Sequence, residues 1–311
     1  MIFSMQFMKE TILITGGSGL VGKALTSLLT AQGYAVSILS RSPRKATENV
    51  TYYIWDLEKN EIDTNCFLKA THIIHLAGEN VASGRWTAQR KELILKSRTR
   101  STALLYQALS KSPHQVKSFV SASATGFYGS QTSDTLFSEE YPSGADFLAH
   151  VCRDWEDSVN RIASLGIRTV KLRTGVVLAK KGSALQKMLP PFQIGLGSAI
   201  GTGKQYLPWI HISDLCNMYL MALNKPKMRG SFNAVVGDDT TNAQLSMAIA
   251  RQLQKPFFMP NIPAFLLRLV FGKMAVILTN GSRVSAQKIK EAGFVFEFES
   301  LEEALRDLLK K

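Results

Sequence analysis

Three groups of residues in this 311-residue chain have the types and spacing to do chemistry. The first is Thr15-Gly16-Gly17-Ser18-Gly19-Leu20-Val21-Gly22, where Gly16, Gly19 and Gly22 repeat as G-x-x-G-x-x-G. Glycines permit positive φ and close backbone approach. The open N–H groups of a helix start then favour an anion. That chemistry is phosphate binding with a dinucleotide as the expected ligand; the plain alternative is a structural turn. The second group is Ser40-Arg41-Ser42, followed by Arg44 and Lys45 with no carboxylate nearby. An acid about 20 residues past such a loop would grip a ribose 2′-hydroxyl. A guanidinium instead pairs a 2′-phosphate. NADP(H) is therefore expected over NAD(H), the alternative being that Arg41 points to solvent. The third group is Ser123, Thr125 and Tyr128, hydroxyls that could polarise a carbonyl or move a proton.

Elements must bring these groups together. Ile12–Thr15 reads as a buried strand running into the glycine turn, with a helical pattern over Lys23–Gln32 that ends near Gly33. Ala35–Ser40 and Val50–Trp55 read as the second and third strands. The third ends at Asp56, whose carboxylate could reach an adenine amine or simply form a turn. His72–Gly78 is the fourth strand; its end, Leu76, Ala77, Gly78 and Glu79, is small enough at Ala77-Gly78 to approach ribose and diphosphate. His75 lies inside that strand and reads as a hydrogen-bonded core histidine before a catalytic one. A helix over Ala88–Ser110 precedes the fifth strand, Val116–Ser121. Strands alternating with helices predict an α/β, Rossmann-type doubly wound parallel sheet with right-handed crossovers. Ligands in such sheets sit beyond the strands' carboxyl ends, which puts Ser123, Thr125 and Tyr128 at the nicotinamide end.

TGGSGLVG, the LSR ending, HLAG and SASATGFYG resemble the extended short-chain dehydrogenase/reductases, the group of nucleotide-sugar epimerases and dehydratases. FLAHVCRDWE, LRTGVVL, GTGKQYLPWIHISDL and AGFVFEFESLEEALRDLL are similar to an atypical branch. That branch is the NADP-binding "epimerase family" with a short characteristic C-terminal domain. The resemblance runs from about Lys9 to the end and implies a Tyr-x-x-x-Lys helix, in which lysine lowers the tyrosine's pKa. None of the eight tyrosines has a lysine four residues on. Alignment through Glu156 puts Leu148 and Cys152 in those places. A Cys152 thiolate could be a base, but so apolar a segment favours a packed thiol. His150 and Arg153 share the helix. Tyr128 with Ser123 is the candidate catalytic pair; otherwise Ser123 and Thr125 bond the strand end and Tyr128 packs under the cofactor.

Further along, Ile167–Leu178 reads as strand six with Arg173 near its outer end, and 189–203, with two prolines and four glycines, as a loop. Lys204, Gln205 and Trp209 are candidate substrate contacts, the indole offering a stacking face. His211 and Asp214 read first as a pair that caps and locks the next helix. Gly230–Val236 reads as a strand and Thr240–Gln254 as a capped helix. The apolar Ile262–Leu278 reads as a core or dimer helix that could equally grip a partner or lipid surface, with packing the default. Ser300-x-x-Glu303 forms a capping pattern. The expected organisation is a Rossmann domain over 9–178, to which 205–236 return. A smaller C-terminal α/β substrate-side domain covers most of 179–311, with a distinctive tail at 262–310.

Composition sets the outer bounds. With 45% hydrophobic and 20% charged residues, the chain reads as globular. No apolar run approaches the roughly 20 residues of a membrane span. The first eight residues, MIFSMQFM, show no signal-peptide pattern and read as a frayed start, or place Met8 nearer the true beginning. Three scattered cysteines argue for a reducing, cytoplasmic compartment without disulfides. No metal-ligand spacing occurs. The net charge of +13 is densest over Arg85–Arg100, where helical spacing reads as a solvated face with room for an acidic substrate. Nucleic acid is an unfavoured partner. The function expected is NADP(H)-dependent hydride exchange on a small carbonyl, alcohol or nucleotide-sugar substrate. The rival is a non-catalytic NADP(H)-binding sensor or regulator. A homodimer is the base-rate assembly.

Overall fold

The structure is a computed structural model and describes residues 10–310; the reading of the first eight residues lies outside them. The chain begins β1 (Thr11–Thr15), α1 (Leu20–Ala31), β2 (Ala35–Ser40), β3 (Val50–Asp56) and β4 (Glu61–Ile62). It continues α2 (Cys66–Lys69), β5 (Ala70–His75), α3 (Ala88–Lys111), β6 (Ser118–Ala124), β7 (Leu136–Phe137) and α4 (Phe147–Asn160). Next come β8 (Arg168–Thr174), β9 (Val176–Leu178), α5 (Ala184–Gln193), β10 (Trp209–His211), α6 (Ile212–Asn224) and β11 (Gly230–Ala234). The tail holds α7 (Asn242–Gln252), α8 (Ala264–Phe271), α9 (Val276–Thr279), β12 (Arg283–Val284), α10 (Gln287–Glu291) and α11 (Leu301–Leu309).

One sheet runs β11-β8-β6-β5-β1-β2-β3-β4, with every pairing parallel except the short β3–β4 edge. Ile12, Leu13 and Ile14 of β1 are fully buried, as a central parallel strand covered on both faces requires. One apolar cluster joins the sheet to α1, α6, α7 and α11, and a second joins it to α3 and α4. The fold is thus Rossmann-type and doubly wound. The strand order reverses between β1 and β5, and Thr15 registers with Leu39 on one side and His75 on the other. The carboxyl ends of β1, β2 and β5 therefore meet at the switch point, where such folds hold ligands.

Three expectations change. Ile167–Leu178 is two strands, because the chain leaves the sheet at Gly175 and β9 pairs with β10 instead. A Cβ at Gly175 would overlap the Pro208 carbonyl, so only glycine allows that crossing. The presumed loop 189–203 starts inside a helix: α5 keeps Pro190 and Pro191 in its last turns, anchored by the buried Phe192. The apolar stretch 262–278 is no continuous core helix. It divides at Gly272 (φ 60°) into α8, a 3₁₀ turn and α9, and α8 buries none of its side chains.

Candidate functional site

A cleft of about 650 Å³ opens at the switch point. Its walls are Gly16, Gly17, Ser18 and Gly19; Ser40, Arg41, Ser42 and Arg44; and Leu76, Ala77, Gly78 and Glu79. The loop's three spaced glycines have different jobs. Gly16 has φ +71°, and a Cβ there would meet the Leu76 carbonyl at 2.9 Å. A Cβ at Gly22 would drive into the Gly16 carbonyl and stand 2.6 Å from Gly17 Cα. Gly16 therefore lets the loop lie against the end of β5, and Gly22 lets α1 pack on the loop. Gly19 has negative φ, and its Cβ would approach only Gly16 O, at 3.3 Å. It is the glycine the protein itself does not need.

The first-turn N–H groups of Leu20, Val21 and Gly22 precede the first α1 backbone bond, Lys23 N–H to Gly19 O. They contribute as backbone donors at a helix N-terminus; their side chains do not line the cleft. Thr15 is fully buried and does not line it either. Its hydroxyl accepts from Leu76 N and Ala77 N, both at 3.1 Å, and meets His75 Nδ1 at 2.8 Å. Thr15 thus fixes the two strand ends that form the cleft floor. Ser42 N–H donates to Ser40 Oγ, and that hydroxyl donates to Ser42 O, a tight bend that leaves Arg41 exposed. Asp56 stands outside the cleft. Its carboxylate accepts from Glu58 N at 2.9 Å and Lys59 N at 3.1 Å, bonds that hold it below the usual carboxylate range, so it forms a turn. Lys23, Thr26 and Ser27 also line the cleft. Their helical spacing from Gly19, four, seven and eight residues along α1, was the available signal.

The far end differs from the chemistry expected there. Ser123 is buried and donates to Glu156 Oε1 at 2.7 Å. Arg173 grips the same carboxylate at 2.8 and 3.0 Å, and Ser231 donates to Oε2 at 2.9 Å. Burial alone would raise the Glu156 carboxyl, but the Arg173 guanidinium and the Ser123 hydroxyl bring it below its ordinary value. Tyr128 donates to Asn233 Oδ1 at 2.7 Å, accepts from Arg173 Nη1 at 3.0 Å and stacks on Phe137. Burial pushes its phenol up to about 12. Both candidate catalytic hydroxyls are held within the protein, outside the cleft walls. Thr125, half-buried in the 3₁₀ turn after β6, makes no side-chain hydrogen bond among the described residues.

On α4, Leu148 and Cys152 face the 3₁₀ turn after β6. A Cβ on Gly126 would meet Leu148 Cβ at 3.4 Å and Cys152 Sγ at 3.7 Å. Burial pushes the Cys152 thiol up to about 12, so it is a packed thiol. His150 and Arg153 lie on the exposed side. His75 is enclosed, with Nδ1 on Thr15 and Nε2 at 3.1 Å from Thr102 Oγ1, and burial lowers it to about 3.

Of the candidate substrate contacts, only Lys204 is exposed. Trp209 is fully buried, its indole N–H donating to Asp238 and Thr240. Gln205 is buried and donates to Ile200 O and Leu278 O. Trp209 is carried inward by β10, which pairs with β9, while Gln205, ahead of β10, is held by its own bonds to the backbone. His211 caps α6 by accepting from Ser213 N, as expected, but Asp214 does something else. Its carboxylate accepts from Glu297 N at 2.7 Å and Phe298 N at 3.1 Å, docking the tail. The basic run after Arg85 is also spent internally. Arg90 pairs Glu79, Lys96 pairs Glu92, and Arg98 donates to Ile94 O and Glu79 O. Among the described residues no cluster could hold a metal ion, and no helix is long and apolar enough to cross a membrane.

A model of the NAD dependent epimerase/dehydratase family matches residues 12–236. The chain belongs to that family. A second model, a domain of unknown function, matches 262–308. Among epimerase-family relatives, the chain is 36% identical to epimerase family protein YfhF of Bacillus subtilis over 302 residues, covering 96% of this chain and 97% of that one. It is 33% identical to human epimerase family protein SDR39U1 over 303 residues, 96% and 99% of the two chains. The crystal structure of human SDR39U1 (isoform 2) with NADPH superposes with a TM-score of 0.85 at 31% identity, covering 96% of this chain and 98% of that one. UDP-glucose 4-epimerase from Thermotoga maritima, solved with UDP-glucose, gives 0.76 at 22% identity over 95% and 96%, a likeness of fold.

Proposed function

We propose that this epimerase-family chain is an NADP(H)-binding protein that lacks the family's proton relay and acts through its cofactor-bound state, as a sensor or regulator. The observation that carries the binding half is the cleft itself. A glycine loop whose Gly19 leaves the approach open faces Arg41 and Arg44, and no carboxylate stands on that wall. Gly16–Gly19 and the α1 first turn would hold the diphosphate, and Arg41 the 2′-phosphate. The human relative solved with NADPH supports the same ligand. The silent half rests on Leu148, Cys152, Ser123 and Tyr128. Two cannot transfer a proton near neutrality, and two have their hydroxyls bonded inside the fold.

A second reading is hydride exchange with a small carbonyl, alcohol or nucleotide-sugar substrate, favoured by the unengaged Thr125 hydroxyl after β6. Bound NADPH would supply the hydride, and Thr125 would polarise the carbonyl. Titration of the full chain with NADPH, followed by NADPH oxidation across carbonyl and sugar-nucleotide panels, tests both. Tight binding without oxidation supports the first reading. Turnover that Thr125→Val abolishes establishes the second, and absence of NADPH binding removes both.

A further inference from the structure

The first part of the apolar stretch read as a core or dimer helix, α8, stands on the surface, whereas Met274 and Ala275 beyond it are buried. In α8, Phe265 is 66% exposed, Leu269 72% and Val270 58%. Phe258, 72% exposed, extends this surface toward the preceding segment. Ile194 and Leu196 adjoin it: a Cβ on Gly195, between them, would lie 3.5 Å from the Pro256 ring. Contiguous apolar surface of this kind marks an interaction site. The backbone beneath it is fixed. Ile262 exchanges backbone bonds of 2.8 Å with Ala199 and Gly201, and Arg85 donates to Leu269 O at 2.6 Å and Val270 O at 3.0 Å. The helix is clamped at both ends, and Phe271 packs on the cluster of Trp86, Ile94, Val151 and Met274, while Phe265, Leu269 and Val270 stay exposed.

Charge selects the occupant. No acidic residue occurs between Asp239 and Glu291. Arg251, Lys255, Arg268 and Lys273 are exposed there and make no ion pair among the described residues. A second copy would bring the same cations against them, on a chain of net charge +13. The exposed apolar residues sit on a short helix that fully buries none of its side chains, and the cleft beside it carries two cations, Arg268 and Lys273, among its walls. An anionic bilayer satisfies both features: the aromatic and aliphatic side chains enter the acyl boundary while the cations meet lipid phosphates.

We propose that α8, with the segment from Lys255 to Pro263, is a docking surface for an anionic lipid bilayer, on which the chain lies peripherally.

Vesicle co-sedimentation of the full chain tests it. The chain should pellet with phosphatidylcholine vesicles containing phosphatidylglycerol but not with phosphatidylcholine alone, and salt should weaken the binding. Phe265→Ser combined with Leu269→Ser should lower vesicle affinity by about tenfold or more. NADPH binding should be unchanged, showing that the variant is folded. Arg268→Glu with Lys273→Glu should remove the dependence on phosphatidylglycerol. Failure of the wild-type chain to pellet would overturn the proposal. So would equal pelleting of the double-serine variant, which would assign attachment to basic surface elsewhere. A wild-type dimer in sedimentation velocity that the double-serine variant dissolves would also overturn it, assigning the face to a second copy.

Discussion

Ser123 donates its hydroxyl hydrogen to Glu156 Oε1 at 2.7 Å, although its place at the end of β6 is where a carbonyl-polarising group is expected. The same carboxylate is held by Arg173, whose guanidinium also lies over the Phe127 ring at 3.4 Å and donates to Tyr128. One buried ion pair thus occupies both candidate catalytic hydroxyls and ties α4 to β6 and β8.

Breaking that pair should cost stability. Glu156→Ala leaves the Arg173 charge buried without a counter-ion, a loss of about 3–5 kcal/mol. Denaturant unfolding should read it as a lower midpoint. Retention of wild-type stability would show that Arg173 finds another partner.

Acid should expose two separate windows. His75 is depressed to about 3 by burial, against about 6.5 when unfolded. The unfolded chain therefore binds the extra proton first, and stability falls as pH drops from about 6.5 toward about 3. Glu156, also depressed in the fold, adds a loss that begins only below the ordinary glutamate value, about 4.3. His75→Gln should reduce the slope of the upper window, to which His72 and His211, also lowered by burial, contribute, and Glu156→Gln should reduce the slope of the lower, whatever each does to absolute stability. Unfolding free energies measured from pH 7 to pH 3 read both slopes.

Arg41→Asp should weaken NADPH binding on the order of 10- to 100-fold, the scale of charged hydrogen bonds, and NADH binding far less. Parallel calorimetric titrations with the two cofactors measure the ratio. Equal losses would remove the 2′-phosphate assignment.

Gly19→Val should abolish binding of both cofactors while lowering thermal stability less than Gly22→Ala, because the protein opposes that Cβ only with Gly16 O at 3.3 Å. Gly22→Ala should lower the melting temperature more, since its Cβ meets the loop backbone. Normal NADPH binding by Gly19→Val would place the ligand elsewhere.

Asp214→Ala should release the tail. The amides of Glu297 and Phe298 lose their buried acceptor, at about 1–3 kcal/mol. Limited proteolysis should then cut ahead of α11 at protease levels that leave the wild-type chain intact.

What the sequence determined by itself is local. The β1–loop–α1 unit, the alternation that makes a parallel sheet, the basic end of β2 and the missing Tyr-x-x-x-Lys pair are written in runs of a few residues. Their signals, periodicity and glycine spacing, act between near neighbours. Tertiary structure decided which polar group meets which. Ser123 and Glu156 are 33 positions apart, and Tyr128 and Asn233 are 105 apart. No pattern along the chain pairs them. Trp209 and Gln205 resembled site residues because aromatic and amide groups suit ligands, yet β10 turns the indole inward and backbone carbonyls of Ile200 and Leu278 hold the amide. Ile262–Leu278 resembled core because hydrophobicity is a property of residues, whereas burial needs a neighbouring surface. At α8 the fold supplies one for Phe271 and leaves Phe265, Leu269 and Val270 exposed.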